Sequence, residues 1–220
     1  MDPTIVHSGS DFLVINKPSG LLTHPRNEKD QRESVASWLA EHYPGAVFAH
    51  RLDKETSGLL LIARTPEALA YFRALFHDHK IQKTYLALVY GTVKDDHGTI
   101  DAPLFKFGTR QSMKPPRDGH ATLERAARTD YKVLKRFEHY TLLEISPKTG
   151  RTHQIRIHLR SIGHPIVCDP IYAEKSRLCP VELGRLFLHA QKLSFTAPDG
   201  QAMTLEAELP PELEKFLENL

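Results

Sequence analysis

The chain has 220 residues, 40% hydrophobic and 25% charged, with a net charge of +2 when histidines are neutral. That is enough chain for one large core or two small ones, and an ordinary composition for a globular protein. No run of about 18 apolar residues is present, which excludes a transmembrane helix, and Met1 to Ser8 lacks the basic-then-apolar pattern of a signal peptide.

Residues 11–15 read as a first strand, broken by the turn chemistry of Asn16-Lys17-Pro18-Ser19-Gly20. Lys17 is either a surface turn residue or a brace beneath a site. Residues 23–33 read as a polar loop. Ser34 to Tyr43 carries Val35, Trp38, Leu39 and His42 at helical spacing and stops before Pro44-Gly45, with Trp38 expected in the core.

Two apolar runs follow, 46–49 and 59–63, both read as buried strands. Between them lies the polar stretch His50-Arg51-Leu52-Asp53-Lys54-Glu55-Thr56-Ser57-Gly58. Thr65-Pro66-Glu67 opens a helix, with Leu69, Phe72, Leu75 and Phe76 on one face and His77 and His79 at its end. Residues 83–90 form a strand ended by Gly91, and 98–104 a short one.

From Lys106 to Arg136 there are nine Lys or Arg against three acids, a local excess able to neutralise phosphates. Residues 106 to about 125 read as a long, mobile excursion. A hairpin is expected over 129–137 and 140–145. Thr152 is the expected N-cap of a helix over 153–162, ended by Gly163. An irregular segment from His164 through Tyr172, a hairpin over 186–197 and 202–208, and a terminal helix from Pro210 complete the chain. Cys168 and Cys179 form no disulfide framework and no common zinc spacing, so two reduced cysteines in a cytoplasmic protein are expected. The expected fold class is α+β: one domain over 1–220, a largely antiparallel central sheet flanked by helices.

Three segments concentrate polar groups at element ends: 16–20, 50–58 and 148–158. Arg151 at a helix mouth, with Arg156 one turn on, suits an anion, and Asp53 is the obvious carboxylate within the chain. Asp53 is either a brace for its own loop or, as an ionised carboxylate in a cleft, a nucleophile or base. Ser57, His50 and Asp53 have the composition of a hydrolase triad, without a Gly-x-Ser-x-Gly elbow. His50, His153 and His158 offer imidazoles to a metal, without His-x-x-x-His spacing or an acidic cluster. No glycine-rich phosphate loop suggests a nucleotide cofactor.

The 50–58 stretch resembles the His-Arg-Leu-Asp-x-x-Thr-Ser-Gly signature of the RluA family of RNA pseudouridine synthases. Asn16 to Gly20 is similar to the family's first motif, Lys83-Thr84-Tyr85 to its Lys-x-Tyr, and Thr149 to Arg156 to its third. Leu188-His189-Ala190 resembles a later one, and Gly163 to Ile166 with Asp169 and Tyr172 also fits. The motifs run in family order from residue 12 to about 207.

The resemblance implies isomerisation of uridine to pseudouridine in rRNA or tRNA stem-loops, with neither metal nor cofactor. Asp53 would be the catalytic aspartate, attacking ribose C1′ or assisting base departure. Arg151 would pair with it. Tyr85 would contact the target base, and Arg51 would fill the stack left by the flipped nucleotide. Leu188 would pack on the uracil, Lys17 and Pro18 would support the floor, and the 106–128 excursion would clamp RNA. With the first motif at Asn16, a stand-alone member without an S4 domain is expected: a cytoplasmic monomer with no obligate protein partner. The alternative is a catalytically silent RNA-binding or RNA-folding module on the same scaffold.

Overall fold

The computed structural model describes every residue except 1, 26–31, 108–109, 114–123 and 175–178. In chain order the first elements are β1 (Thr4–Ser8), β2 (Phe12–Lys17), α1 (Val35–His42), β3 (Val47–Phe48), β4 (Ser57–Ala63) and α2 (Pro66–His77). Then come β5 (Gln82–Tyr90), β6 (His97–Asp101), β7 (Leu104–Phe107), β8 (Arg110–Ser112), β9 (Glu124–Arg125), β10 (Arg128–Arg136) and β11 (Tyr140–Pro147). The chain ends with α3 (Gln154–Ser161), β12 (Leu188–Thr196), β13 (Ala202–Glu206) and α4 (Pro211–Glu218). The fold is α+β and its strand pairs are largely antiparallel, as the sequence leads one to expect. The residues gather into two compact units, Met1–Lys83 with His189–Leu209, and Thr84–Leu188 with Pro210–Leu220.

In the first unit β4 is the central strand. It pairs antiparallel with β2 from Phe12↔Ala63 to Lys17↔Gly58, and parallel with β12 through His189↔Ser57 and Ala190↔Gly58. All seven of its residues are buried, which is why they read as a continuous apolar run. β1 extends the sheet beyond β2, and β13 beyond β12. Phe12, Phe72 and Phe195 meet edge-to-face at centroid distances of 5.2–5.7 Å, seating α2 on the sheet. The Thr65 hydroxyl accepts from the Ala68 amide, and Ser34 and Ser37 form a reciprocal capping box on α1.

The run at 46–49 is not a buried strand. Val47 and Phe48 alone form a ladder with β4, joined by one bond from the Ala49 amide to the Leu61 carbonyl, and Val47 is exposed. Trp38 is half-buried rather than in the core; its ring stacks on His42 at 5.0 Å, while Val35 and Leu39 take the buried positions.

The second unit holds an antiparallel sheet in the order β5-β11-β10-β6 and a small sheet in the order β8-β7-β9. The small sheet corrects the expected excursion: residues 104–107, 110–112 and 124–125 are paired strands. Within the 106–128 segment, residues 108–109 and 114–123 lie outside the described residues. Basic residues at and beyond the end of this segment lie beside acids. Arg128 lies near Asp101 and Asp130, Lys148 pairs with Asp130, and Arg136 pairs with Asp96 at 2.7 Å.

Cys168 and Cys179 are joined by a disulfide, contrary to the expected free thiols. Cys168 stands at a left-handed φ of 58°, and the two Cα atoms are 4.6 Å apart. A spacing of eleven residues in an irregular segment carries no signal of such a bond.

Candidate active site

Asp53 sits half-buried on the 49–56 loop that delivers the chain into β4. The 17–24 segment bonds to this loop at successive residues. Thr23 Oγ1 donates to the Leu52 carbonyl at 2.7 Å and accepts from the Leu52 amide at 3.3 Å. The Gly20 amide donates to the Lys54 carbonyl at 2.8 Å, and the Ser19 hydroxyl donates to that of Glu55 at 2.6 Å. The Asp53 carbonyl accepts from the Thr56 amide. Residues on both sides of Asp53 are therefore anchored by backbone bonds, which fixes where its carboxylate leaves the chain.

Lys17 is the centre of this brace. Its side chain is wholly buried, and Nζ donates to the carbonyls of Pro18, Leu21 and Lys54 at 2.9, 2.8 and 3.1 Å. Of the two readings of Lys17, the structure gives the brace. The other side of the 17–24 segment supports α1, whose Val35 and Ala36 amides donate to the carbonyls of Leu22 and Thr23.

His50 anchors the start of the loop. Its Nε2 accepts from the Leu61 amide at 3.0 Å, and its ring lies 4.7 Å from that of Phe76. Burial, helped by the nearby Lys83 charge, pushes the imidazole down to about 3. Burial likewise lowers the Lys83 ammonium to about 8. Ser57 is buried and shares a 2.9 Å hydrogen bond with His189 Nδ1, while His189 Nε2 lies 3.3 Å from the Ala207 carbonyl. His50 and Ser57 are thus committed to separate scaffold partners, so no hydrolase triad forms. Arg51 is exposed at the loop's rim; burial and the Arg51 charge both lower the His24 imidazole.

Tyr85 and Arg151 belong to the second unit. Tyr85 lies half-buried on β5 opposite Ile145 of β11. Arg151 is half-buried at the mouth of α3, with Nε donating to the Ala126 carbonyl at 3.1 Å.

Thr152 is not the cap expected there. His153 takes that place at φ 56° and makes no side-chain cap bond. The Gln154 side chain organises the turn instead. Its Oε1 accepts from the Thr149 hydroxyl and the Arg151 amide at 2.7 and 3.0 Å; its Nε2 donates to the Arg128 carbonyl and Thr129 Oγ1, both at 3.0 Å.

Arg156 is not an anion site for a ligand. It is fully buried and bidentate to Asp169 at 2.7 and 2.8 Å, so its carboxylate comes from within the unit. Burial alone would raise the Asp169 carboxyl, but Arg156 and the amides of Tyr172 and Ile171 outweigh it and hold the group below its usual value. His153 Nδ1 lies 2.9 Å from the Tyr172 hydroxyl, and His158 bridges Thr129 Oγ1 and the Ala102 carbonyl at 2.9 and 3.0 Å. Each is part of the local scaffold. Leu188 is buried, at 3% exposure, at the start of β12.

Sequence reasoning missed Thr23, Ser19 and Gln154 as the residues that fix the site's backbone. Thr23 lies in a stretch with no periodicity, and its bond spans 29 residues. Gln154 stands inside a quoted motif, where its position gives no hint of four separate partners.

Residues 11–161 match the family described as RNA pseudouridylate synthase. A Bacillus subtilis (strain 168) protein, "Uncharacterized RNA pseudouridine synthase YlyB", is 36% identical, over 100% of this chain and 73% of its own length. The Nitrosomonas europaea "Ribosomal large subunit pseudouridine synthase D" is 37% identical over 97% of this chain and 64% of its own length. The Yersinia pestis "Dual-specificity RNA pseudouridine synthase RluA" is 34% identical, over 93% of this chain and 98% of itself. Among solved structures, "Human RNA Pseudouridylate Synthase Domain Containing 1" matches with a TM-score of 0.80 and 28% identity, over 96% of this chain and 86% of that one. Nearly the whole chain is thus accounted for by one kind of relative, and the chain belongs to the RNA pseudouridylate synthase family, with the RluA-type enzymes among its relatives.

Proposed function

We propose that this isomerase converts uridine to pseudouridine in structured rRNA or tRNA, with Asp53 as the catalytic residue. The observation that carries the assignment is the anchoring of residues 52, 54 and 55, which holds a half-buried carboxylate in one place. Preorganised groups cost no rearrangement at the moment of reaction.

The reaction is balanced without any electron carrier. The C1′–N1 bond breaks, the uracil turns, the C5–C1′ bond forms, the C5 proton leaves to solvent, and N1 gains a proton. Asp53 assists at C1′, either as nucleophile or by stabilising the departing base's sugar. The motif resemblance assigns Arg151 as the partner of the Asp53 carboxylate and reads residues 1–220 as one catalytic domain. Tyr85 contacts the target base, and Arg51, exposed at the rim, fills the space of the flipped nucleotide. The family match running through both units supports this joint assignment. No helix among the described residues is long and apolar enough to cross a membrane. The proposed workplace is the cytoplasm, where rRNA and tRNA are found, and the proposed working form is a monomer.

The test is release of tritium from RNA labelled at uridine C5. The enzyme reading requires wild type to release label into water. RNA binding with no release would leave only a silent RNA-binding module.

A further inference from the structure

A groove of about 310 Å³ opens in the first unit against the Asp53 loop. Its walls are the turn from Ser19 to Leu22, Lys54 from the loop itself, and Arg32 and Glu33 ahead of α1. Leu22, 7% exposed, and half-buried Leu21 supply apolar surface. At Gly20, with φ 86°, a Cβ would find nothing within 4 Å, so the backbone is open to close approach there. The size falls at the small end of the range of about 300–1,000 Å³ for small-molecule sites.

The groove is built on rigid parts. The Leu21 carbonyl is held by Lys17, the Leu22 carbonyl by the Val35 amide, and Ser19 and Gly20 by the carbonyls of Glu55 and Lys54. Lys54 directly follows Asp53, so the groove wall starts one residue, about 3.8 Å between Cα atoms, from the catalytic position. A strand that brought a ribose C1′ to Asp53 would have this wall within reach of its next nucleotide. Two cations and two leucines in one lining match the two parts of a nucleotide: a phosphate that needs positive charge and a base that packs on apolar groups.

We propose that this groove seats the ribonucleotide adjacent to the target uridine, with its phosphate between Lys54 and Arg32 and its base over Leu21. The inference rests on the RNA substrate proposed above. It makes these residues determinants of which flanking sequence is accepted.

Binding and catalysis are measured separately on bulk rRNA labelled at uridine C5. Lys54→Met is expected to weaken RNA binding about tenfold. It should also flatten the slope of log affinity against log salt by about 0.7, the loss of one single-strand phosphate contact. Leu21→Ser is expected to weaken binding several-fold with the salt slope unchanged, because it removes packing and no charge. Lys80→Met, a surface cation on the same unit paired with Asp78, serves as control and should bind as wild type does. Lys54→Met binding as tightly as wild type, or Lys80→Met losing as much, overturns the groove. Absence of tritium release by wild type would instead overturn the enzymatic reading, while the binding comparison still decides the groove.

Discussion

A lysine with three carbonyl acceptors beneath the Asp53 loop is expensive to replace. Lys17→Met leaves the Pro18, Leu21 and Lys54 carbonyls without their shared donor, at a cost of about 3 kcal/mol or more. Urea unfolding should show that loss, and a change under 0.5 kcal/mol would contradict the brace. His50 makes a pH prediction. Its folded value, about 3, lies below the ordinary 6.5, so the unfolded chain binds more protons between these limits. The stability it contributes is complete above pH 6.5 and is lost as pH falls toward 3. His50→Gln should reduce that acid sensitivity; an unchanged pH–stability profile would refute a neutral, buried His50. Residues of this kind divide sharply in legibility. Asp53 and Arg51 are visible because an ordered motif carries them. The bracing role of Lys17 is one of two readings the first motif allows, whereas the roles of Thr23 and Gln154 are not visible, because a side-chain bond to a distant partner leaves no local pattern.

At the scale of elements, the contact between β4 and β12 leaves no room for a side chain at Gly58. Its φ is 113°, and a Cβ there would run into the Ala190 backbone. Gly58→Ala is expected to destabilise by about 2–4 kcal/mol through strain and overpacking. A melting temperature equal to wild type would show that the strands can separate locally. β4, α1 and α2 could be read in advance because apolar period and capping chemistry are local. β1 could not, since Thr4 to Ser8 is largely exposed and shows no alternation of burial to detect. β3 was overestimated for the opposite reason: four apolar residues in a row suggest burial, but only two of them form a ladder with β4. The basic stretch after β6 carries no strand signal in the sequence, because its strands are two to four residues long, below the length at which period means anything.

Across the whole molecule, the two units carry different parts of the proposed chemistry. The first holds Asp53, Arg51 and the flanking groove; the second holds Tyr85 and Arg151. Arg151→Met is therefore expected to reduce turnover by at least about a hundredfold while RNA affinity changes little. Single-turnover kinetics alongside filter binding would decide it, and a loss confined to affinity would contradict the proposed partnership with Asp53. The α+β class was legible from the spacing of strands and helices. The division into two units was not, because β12 rejoins β4 in parallel after more than a hundred intervening residues, and that pairing is set by tertiary contacts. The Asp53 carboxylate is proposed to perform the isomerisation, and Asp53→Asn isolates its charge, because the substitution keeps size and shape. With RNA labelled at uridine C5, wild type should release tritium and Asp53→Asn should release none above background while still binding the RNA. Release by Asp53→Asn at the wild-type rate would contradict the account.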